Sequence, residues 1–567
     1  MDRISRSVRA DQVNVQDQRR RVPGLVAAGA LGLMLASSAI ALAQVSGNGP
    51  PQFVTLPLPV MGMVGAELQN GRIIYIPPRT AERLDSTGKP VSGGSPGGTA
   101  GKPSGGGSTG SDFGKPGASA IIAAGTCTTS TPDVDVTCAP DSYQGEPALG
   151  FDDVSPGVLI GAQNDIYPGG CSASAPNGGT GDCGLSVSIS TTGVSPGAFS
   201  RVKLSRAWGG HNFVIGFDPS VAVSNGVYYV AYGVADGGVN SANAITVVHG
   251  SSSGWLKSNP VVLNLSGSVF DDKYWIAADA NVAGQIYVAW DRNQSNNQIL
   301  YVAASSDSGQ HWSAPVKVND GTSKFERVWY AFPAVAPTGD VFVLWHDYAR
   351  RRIYIDRSTT HGKTWGTDRV VATTSMGATV DIGCNGGRGM AVAPQMAIVD
   401  HAGSVDGYDI YVTYADYVSN AMKVFVTRSS DRGVTWSTPV RVSQNVTDWQ
   451  GNTVNSNPHQ YNPAVTATGS TVSVTYLDRR NDAGNCSTDT YLSQFASGAA
   501  LASSPSDTRV STASSNFDGN RNGPGDYQGG TAGLGSTYAY FSDHRTDNAS
   551  SGSGGGFEIY ISQFGAP

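Results

Sequence analysis

Three segments of the chain follow the pattern Ser-x-Asp-x-Gly-x-Thr-Trp with small departures, and each lies between two runs rich in β-branched and aromatic residues. Such a segment predicts a hairpin turn: the Asp carboxylate accepts backbone N–H bonds, Gly supplies a positive φ, and Trp anchors the turn on apolar surface. Thr360 replaces the Asp of the second copy, so that turn should be less firmly held. The pattern residues are Ser305, Asp307, Gly309 and Trp312, then Ser358, Gly362 and Trp365, then Ser429, Asp431, Gly433 and Trp436. Three copies with matching flanks indicate a repeat protein.

Alignment outward from these turns reveals seven copies of a larger unit, which begins with a strand of small residues, continues with an aromatic-rich strand and then enters a polar loop. The first strands open at Glu146, Asp218, Trp275, Phe332, Met390, Asn462 and Asp526, and the second strands at Val158, Val227, Ile286, Val341, Ile410, Val472 and Thr537. Short strands at this spacing, without helical periodicity between them, are typical of an all-β fold, the β-propeller. We predict seven blades, with six as the alternative, and place the repeated turns between strands three and four.

Closure of the predicted ring needs a strand from elsewhere in the chain. The seventh unit ends at Phe564, one strand short of four, while the first unit is complete. We therefore expect a strand upstream of the first unit to complete the last one. The apolar stretch at Ala118–Ala124 is the nearest candidate.

Composition supports turns and thin strands and argues against one class of partner. Glycine accounts for 73 of the 567 residues, and acidic charge is carried mainly by Asp, a turn residue. The formal net charge is −7, which gives no indication of a basic face. Nucleic acid is therefore not an expected partner.

The N-terminus has the layout of an export signal, which we assign to residues 1–43. Arg19–Arg21 precede an apolar stretch, and Ala41–Ala43 supply the small residues of a cleavage site. The apolar stretch is also long enough for an uncleaved membrane anchor. Residues 44–117 read as a short Pro-rich piece and a Gly/Ser/Pro-rich linker, so 118–567 would be the propeller. The sequence thus predicts a protein that is secreted, periplasmic or at the cell surface.

An even number of cysteines in an exported chain favours disulfides over a metal site. Many pairings are open from the sequence. We favour those that close short loops rich in Gly, Ser and Asp, which leaves one pair between loops of the fifth and sixth units. The favoured pairs are Cys127 with Cys138, Cys171 with Cys183, and Cys384 with Cys486.

Candidate binding residues lie in the loops that enter the first strands and leave the second strands. These loops share one face of a four-stranded unit, here called the front face. The repeated turns lie on the opposite back face, and we interpret them as structural. Arginine exceeds lysine in the front-face loops, and its planar guanidinium suits bidentate binding of carboxylates. The residues of greatest interest are Trp275, Glu326, Arg327, Arg388, Tyr461, Arg479, Arg480, Tyr527 and Arg545. A merely solvated polar surface is the alternative.

The repeated turn on a propeller resembles the Asp-box, or BNR repeat, of the sialidase superfamily, over roughly Gln144 to Phe564. Glu146-Pro-Ala-Leu, Asp478-Arg-Arg-Asn-Asp482 and Gly525-Asp-Tyr-Gln-Gly529 are similar to segments of exported bacterial sialidase-like repeat proteins. The resemblance implies a β-propeller and, for those members that are enzymes, an exo-α-sialidase type of glycoside hydrolysis. Sialidases hold the substrate carboxylate with three arginines and use a Tyr nucleophile assisted by a Glu, with an Asp acid/base.

Residue roles follow from this resemblance. Tyr461 is the candidate nucleophile, Glu326 the residue that polarises its phenol, and Arg327 and Arg388 the carboxylate clamps. The first arginine of the sialidase clamp is missing, because Gly145 stands at its place. Surface ion pairing of Glu326 and Arg327, and plain packing of Tyr461, are the structural alternatives.

Two further segments follow second strands at the same offset and would lie side by side on the front face. They contain Arg479 and Arg480 in one case and Arg545 in the other. With Trp275 and Tyr527, these arginines are candidates for binding an anionic sugar. An Asp–Arg brace between adjacent blades is the structural alternative.

Two functions remain open from the sequence. One is an exo-glycosidase of sialidase type with an altered clamp, and the other is a non-catalytic propeller that binds glycan or protein at the cell surface. A hydrolase needs Glu326, Tyr461 and at least two arginines in one pocket, whereas a binder would have them dispersed. The expected partner is a glycan or glycoconjugate, and the expected state is a monomer. We expect no cofactor, because the eight His residues lack metal spacing, although structural calcium stays open.

Overall fold

The structure is a computed structural model that describes only part of the chain in detail. The described residues are 133–137, 142–155, 157–167, 171–174, 182–237, 241–251, 254–294, 297–321, 327–385, 389–448, 450–501, 507–517, 523–533, 535–545 and 558–565, with the backbone of 65–69 and 72–76. The predicted export signal, most of the predicted linker, Cys127, Cys138, Glu326 and Arg388 lie outside them. Within the described part, no helix has the length and apolar character needed to cross a membrane.

The chain divides into two compact units, Met1–Lys102 and Pro103–Pro567. In the first unit, β1 (Gly65–Gln69) and β2 (Arg72–Ile76) form an antiparallel hairpin. The second unit begins its described part with β3 (Asp133–Asp135). Its remaining described strands form all-antiparallel meanders, apart from one parallel residue pair between the first two sheets.

The first three sheets follow the chain order. Sheet 1 contains β4 (Tyr143–Phe151), β5 (Leu159–Ile166), β6 (Cys183–Ser190) and β7 (Phe199–Lys203), and a small hairpin of β8 (Ala207–Trp208) and β9 (His211–Asn212) follows. Sheet 2 contains β10 (Ile215–Ser224), β11 (Val227–Ala235) and β12 (Asn243–Ser251), with β13 (Gly254–Lys257) and β14 (Val262–Asn264) sharing the fourth position. Sheet 3 contains β15 (Phe270–Ala278), β16 (Ile286–Gln294), β17 (Asn297–Ser305) and β18 (Val316–Lys317).

The other sheets repeat this arrangement. Sheet 4 contains β19 (Val328–Val335), β20 (Val341–Asp347), β21 (Arg352–Ser358) and β22 (Arg369–Thr373), and a short pair of β23 (Thr379–Val380) and β24 (Met390–Ala391) follows. Sheet 5 contains β25 (Gln395–Asp400), β26 (Tyr408–Val418), β27 (Ala421–Ser429) and β28 (Val440–Arg441), with a 3-10 turn at Val405–Gly407. Sheet 6 contains β29 (Gln460–Ala467), β30 (Thr471–Asp478), β31 (Asp489–Ala496) and β32 (Asp507–Arg509). Sheet 7 contains β33 (Gly529–Gly533), β34 (Ser536–Asp543) and β35 (Glu558–Gly565).

The fourth strand of sheet 7 is β3, which pairs antiparallel with β35. The expectation of an upstream strand therefore holds, but the choice of Ala118–Ala124 was wrong, and that stretch lies outside the described residues. A long apolar run attracted the prediction, whereas the strand that pairs is short and presents only Val134 to the core between two buried aspartates.

The core lies between neighbouring sheets, because the second strand of each sheet is covered on both faces. Every residue of β20 and of β30 is buried, and Trp290 and Trp345 are enclosed almost completely. Strands buried on both faces are typically rich in apolar residues, and β30 also buries Ser and Thr side chains between its apolar positions. The first strands are poorer in large residues, and each contacts the first strand of the next sheet, while β33 contacts β4. Within the described residues, the first strands of successive sheets thus lie next to one another.

A repeated bulge interrupts five of these first strands after two or three ladder pairs. The residue two places before the ladder resumes, or before it begins in sheet 5, has a positive φ, between 41° and 61°, in six of the sheets. In sheet 5 this residue is Ala393, so the first strand begins at Gln395 and not at the predicted Met390. The six residues with this positive φ are Glu146, Asp218, Lys273, Tyr330, Ala393 and Asn462. Because non-glycine residues adopt this conformation rarely, its repetition fixes a specific side chain at the front of each strand.

The three repeated turns join the third and fourth strands of sheets 3, 4 and 5, on the back face. Gly309, Gly362 and Gly433 have φ of 85°, 75° and 76°. Their amides donate to the serine hydroxyl that opens each turn, at 2.8 to 2.9 Å. The hydrogen bonds join residues of the same turn, which is the arrangement expected of a structural element.

Thr360→Asp is expected to stabilise the second turn by up to about 1 kcal/mol, since a carboxylate accepts backbone N–H bonds more strongly than a hydroxyl. Asp431 Oδ1 accepts the Thr435 amide at 2.8 Å, whereas Thr360 Oγ1 accepts the Thr364 amide at 2.9 Å. The reverse variant, Asp431→Thr, should lose a similar amount. Thermal unfolding of both variants measures the effect, and an unchanged midpoint in both would contradict it.

Candidate functional site

Arg479 lies inside the protein and holds two loops together. Its guanidinium, wholly buried, donates to the carbonyl oxygens of Ile382 and Gly383 at 3.1 Å and of Asn485 at 2.7 Å. These residues flank the disulfide between Cys384 and Cys486, whose Cα atoms lie 5.1 Å apart. Arg479 therefore braces the two loops that the disulfide joins.

Arg480 and Arg545 occupy equivalent places in sheets 6 and 7. Arg480 contacts Asp478 and Asp507, each at 2.6 Å, and Arg545 contacts Asp133 at 2.6 Å and also Asp543. Each arginine thus ties the end of a second strand to the fourth strand of the same sheet. These are Asp–Arg braces, but their ion pairs lie within one sheet and not between adjacent blades, as the alternative from the sequence had it. Substrate binding by these arginines stays a prediction, and their carboxylate partners already occupy them.

Lys423 is buried beside the Arg480 brace. Its Nζ donates to the carbonyl oxygen of Pro458 at 2.5 Å. Burial, helped by the nearby Arg441 and Arg480, lowers the pKa of Lys423 to about 7 against the opposing effect of Asp478.

Lys423→Met is expected to stabilise the protein most clearly at neutral pH. Between the lowered pKa of about 7 and the ordinary value of 10.5, the unfolded chain binds more protons at this lysine than the folded protein. The stability contributed by Lys423 is therefore fully present above the ordinary pKa and is lost as the pH falls toward 7. The difference in unfolding free energy between variant and wild type should grow over that window, and a difference independent of pH would contradict the expectation.

Tyr461 is the predicted nucleophile, and its side chain is completely enclosed. Its hydroxyl shares a hydrogen bond with Thr488 Oγ1 at 3.0 Å, and the Arg479 guanidinium lies 5.3 Å from its ring centre. The structure thus brings Tyr461 and Arg479 together but closes the phenol to solvent. Arg327 lies just before β19, where its carbonyl oxygen accepts the Tyr348 amide at 3.0 Å. The catalytic roles of Tyr461 and Glu326, and the clamp roles of Arg327 and Arg388, stay predictions.

The centre of the front face contains a different set of charges, the central cluster of Glu146, Asp218, Lys273 and Asp526. Lys273 Nζ contacts Asp218 Oδ2 at 2.8 Å and Asp526 Oδ2 at 2.7 Å. Glu146 accepts Asn164 Nδ2 at 2.7 Å and the Asp526 amide at 3.2 Å. Sheets 1, 2, 3 and 7 each contribute one member, so the cluster assembles only when these sheets meet.

The electrostatics of the central cluster keep Lys273 protonated. Burial by itself would lower the pKa of Lys273, but Asp218, Asp526, Asp272 and Glu146 together raise it well above the ordinary value. Asp291 pairs across the strands with Asp272, and burial has the largest effect on its pKa. Burial, with Asp272 adding to it, raises the pKa of Asp291 well above the usual range for a carboxyl group. Lys273 is therefore a fixed cation at neutral pH, whereas the surroundings of Asp291 favour its protonated form.

Aromatic rings lie beside the cluster. The rings of Trp275 and Phe332 are 4.8 Å apart, as are those of Trp275 and Tyr527. Trp275 is partly exposed, whereas Tyr527 is buried and donates to the carbonyl oxygen of Pro219 at 2.9 Å. A cavity of about 290 Å³, lined by all seven first strands, extends inward from Trp275 and Phe332. Trp275 and Tyr527 are thus the predicted binding residues that the structure places at the centre.

The central cluster was not proposed from the sequence, although a signal was present. A charged residue precedes Pro in Glu146-Pro and Asp218-Pro, and precedes Tyr in Lys273-Tyr and Asp526-Tyr. These pairs open the aligned first strands. Attention to arginine in the loops drew the prediction away from these positions. Among the described residues, no group of three His, Cys, Asp or Glu side chains is arranged to hold a metal ion.

Comparisons with known proteins give only distant likenesses. No protein-family model matches the chain, and no curated protein matches it. Similar solved structures include an alpha-L-arabinanase of Penicillium chrysogenum, at 12% identity over 62% of this chain and 94% of that chain, with a TM-score of 0.41. An intramolecular trans-sialidase from Ruminococcus gnavus has 13% identity over 75% and 95%, with a TM-score of 0.39. A Dyadobacter fermentans protein of unknown function has 13% identity over 62% and 94%, with a TM-score of 0.40. Similarity at this level leaves the activity of this chain undecided.

Proposed function

We propose that the chain is a seven-bladed β-propeller that binds a glycan at the centre of its front face. The succession of first-strand contacts and the pairing of β3 with β35 support the blade count and the closure. The observation that carries the function is the partly exposed Trp275 beside the carboxylates and ammonium of the central cluster. An aromatic face with a few fixed polar groups around it is the usual composition of a small-ligand site, and it suits the apolar and hydroxyl-bearing sides of a sugar ring.

Binding is the better-supported function because Arg479, Arg480, Arg545 and Tyr461 are engaged internally. Arg479, Arg480 and Arg545 already contact carbonyl or carboxylate oxygens. Lys273 also lies between two carboxylates, where a hydrolase would place the sugar. Binding of a glycan does not require any of these side chains to leave its internal partners.

Hydrolysis of a glycosidic bond is the second candidate. Asp218 and Asp526 contact the same ammonium, so their oxygens can be no further apart than the two contact distances combined. The largest separation that these two oxygens can have is therefore similar to the distance of about 5 to 5.5 Å between the carboxyl groups of retaining glycosidases. Displacement of Lys273 by substrate would leave such a pair facing the sugar.

A glycan array with the full chain, followed by a release assay on the sugars bound, tests both candidates. Trp275→Leu should weaken binding about tenfold or more, which corresponds to roughly 1.4 kcal/mol. Asp153→Asn removes one exposed carboxylate from the back face, and it is the matched control for Asp526→Asn in the central cluster. Sugar release that is lost in Asp526→Asn but kept in Tyr461→Phe would establish hydrolysis by the central carboxylates. Binding that is unchanged in Trp275→Leu would refute the proposed site.

A further inference from the structure

Asp272 and the partly exposed Trp275 lie on the same face of sheet 3. They pair across the strands with Asp291 and Ala289, which are two positions apart on β16. Because alternate residues of a strand point to the same face, the two side chains are neighbours, with their backbones about 7 Å apart. This face is directed toward sheet 4, since the ring of Phe332 lies 4.8 Å from that of Trp275.

The Asp272 carboxylate has no cation of its own. The ammonium of the next residue, Lys273, contacts Asp218 at 2.8 Å and Asp526 at 2.7 Å. Within the described residues, no lysine or arginine is in ion-pair contact with Asp272, whose Oδ1 accepts only the Lys273 amide at 2.8 Å. Its Oδ2 makes no hydrogen bond there and is accessible to solvent. An open carboxylate oxygen thus lies beside the exposed part of the Trp275 indole.

The neighbours of Asp272 show that its negative charge acts on this site. Burial raises the pKa of Asp291 well above the usual carboxyl range, and Asp272 adds to the rise more than any other charged group. Burial lowers the pKa of Lys273, but Asp272 is among the carboxylates that raise it well above its ordinary value. The adjacent Asp271 is already neutralised, because Arg292 contacts it at 2.7 Å. Both pKa changes have the sign that added positive charge would relieve.

An ammonium group suits this position in two ways. It can donate a charge-assisted hydrogen bond to Asp272 Oδ2, and it can lie against the negative face of the Trp275 indole. A hydroxyl group can donate to the same oxygen, but it brings no charge. A sugar carboxylate would meet the negative charge of Asp272, while Arg479, Arg480 and Arg545 are engaged elsewhere.

We propose that the front-face site selects an amino sugar, whose protonated amine contacts Asp272 Oδ2 while its ring lies on Trp275. This inference rests on the proposed glycan site and names the class of sugar that the site takes. It differs from the anionic sugar that the arginines of the sequence predict. Asp272 is then the residue that determines specificity.

Saturation-transfer NMR titrations with the full chain, at a mildly acidic pH that keeps the amine protonated, test this. The probes are the methyl glycosides of glucosamine, galactosamine and mannosamine, each beside its N-acetyl form and its parent hexose. The amine of the preferred series should bind about tenfold more tightly than its two counterparts, since a hydrogen bond between charged groups adds roughly that factor. Added salt should reduce this preference, because it screens a partly exposed charge.

Asp272→Asn removes the charge and keeps an acceptor for the Lys273 amide. The ratio of amine affinity to acetamide affinity should fall by about tenfold. Asp153→Asn removes an exposed carboxylate on the back face and should leave the ratio unchanged. Trp275→Leu should weaken the binding of every probe. Nα-acetyl-lysine amide, which has the ammonium without a sugar ring, should not displace the amino sugar.

The outcomes separate this inference from the proposed function. A preference for the amine that is lost in Asp272→Asn and kept in Asp153→Asn supports it. Neutral sugars that bind as tightly as the amines would overturn it and leave the glycan site standing, whereas binding of no probe would overturn both. A preference that persists in folded Asp272→Asn also overturns it, and equal binding of the lysine derivative would assign the site to a peptide instead.

Folding of each variant is checked by a thermal melt. If Asp272→Asn does not fold, the salt dependence of the wild type decides the case. A preference for the amine that salt does not reduce would then overturn the assignment to an open carboxylate.

Discussion

Lys273→Met is expected to lower the free energy of unfolding by about 3 to 5 kcal/mol, the range for breaking a buried ion pair from one side. The side chains of Lys273, Asp218 and Asp526 are only 10%, 6% and 12% exposed. Methionine preserves the apolar stem but leaves both carboxylates without their shared cation. Water reaches this position poorly, so it cannot replace the ammonium. The shift of the urea midpoint measures the loss.

A matched control removes a lysine whose charge is already solvated. Lys363 is exposed in the second back-face turn, and Lys363→Met should change stability by about 0.5 kcal/mol or less. Equal midpoints for the two methionine variants would show that the central cluster does not stabilise the fold.

Compensation provides an independent check of the same cluster. Lys273→Met combined with Asp218→Asn and Asp526→Asn leaves no unpaired charge among the three groups. Most of the lost stability should return, because replacing a whole buried ion pair by neutral groups is often close to neutral. A triple variant less stable than Lys273→Met would point to shape rather than charge as the property that matters at this position.

The strands and turns could be predicted from the sequence because their signals are local. The second strands are rich in aromatic and β-branched residues, and the turns at Gly309, Gly362 and Gly433 repeat one set of residues. Each signal fits within about ten residues of the chain. The short strand β3 escaped because three residues with one inward Val give no pattern that stands out.

The central cluster could not be predicted in the same way. Its members come from four sheets, and Glu146 and Asp526 are 380 residues apart in the chain. Their meeting depends on closure of the ring and on the positive φ of Glu146, Asp218 and Lys273. Neither property leaves a mark within a single strand. The burial of polar side chains is also hard to predict, since the sequence indicates that Arg479 and Arg480 lie on the surface, whereas both are wholly enclosed.

The second large effect is expected at the disulfide between the loops of sheets 5 and 6. Cys384→Ser combined with Cys486→Ser should lower the free energy of unfolding by about 4 to 5 kcal/mol on the loop-closure estimate, since the bridge spans 102 residues. The Cys171–Cys183 bridge spans 12 residues, and its removal should cost about 3 kcal/mol or less. Denaturant midpoints of the two double variants provide the comparison. A larger loss at the short bridge would contradict chain entropy as the main cause.

Arg479 makes the long bridge a sharper test than loop length alone. Its guanidinium donates to Gly383 and to Asn485, one from each of the loops that the disulfide joins. Removal of the sulfur atoms therefore leaves the loops of the folded protein tethered by Arg479, so the loss for the serine variant should come mainly from the freed unfolded chain. Addition of Arg479→Met to the serine variant removes the second tether. If the two tethers hold the same pair of loops, the combined loss should exceed the sum of the separate losses, because either one alone still keeps the loops in place.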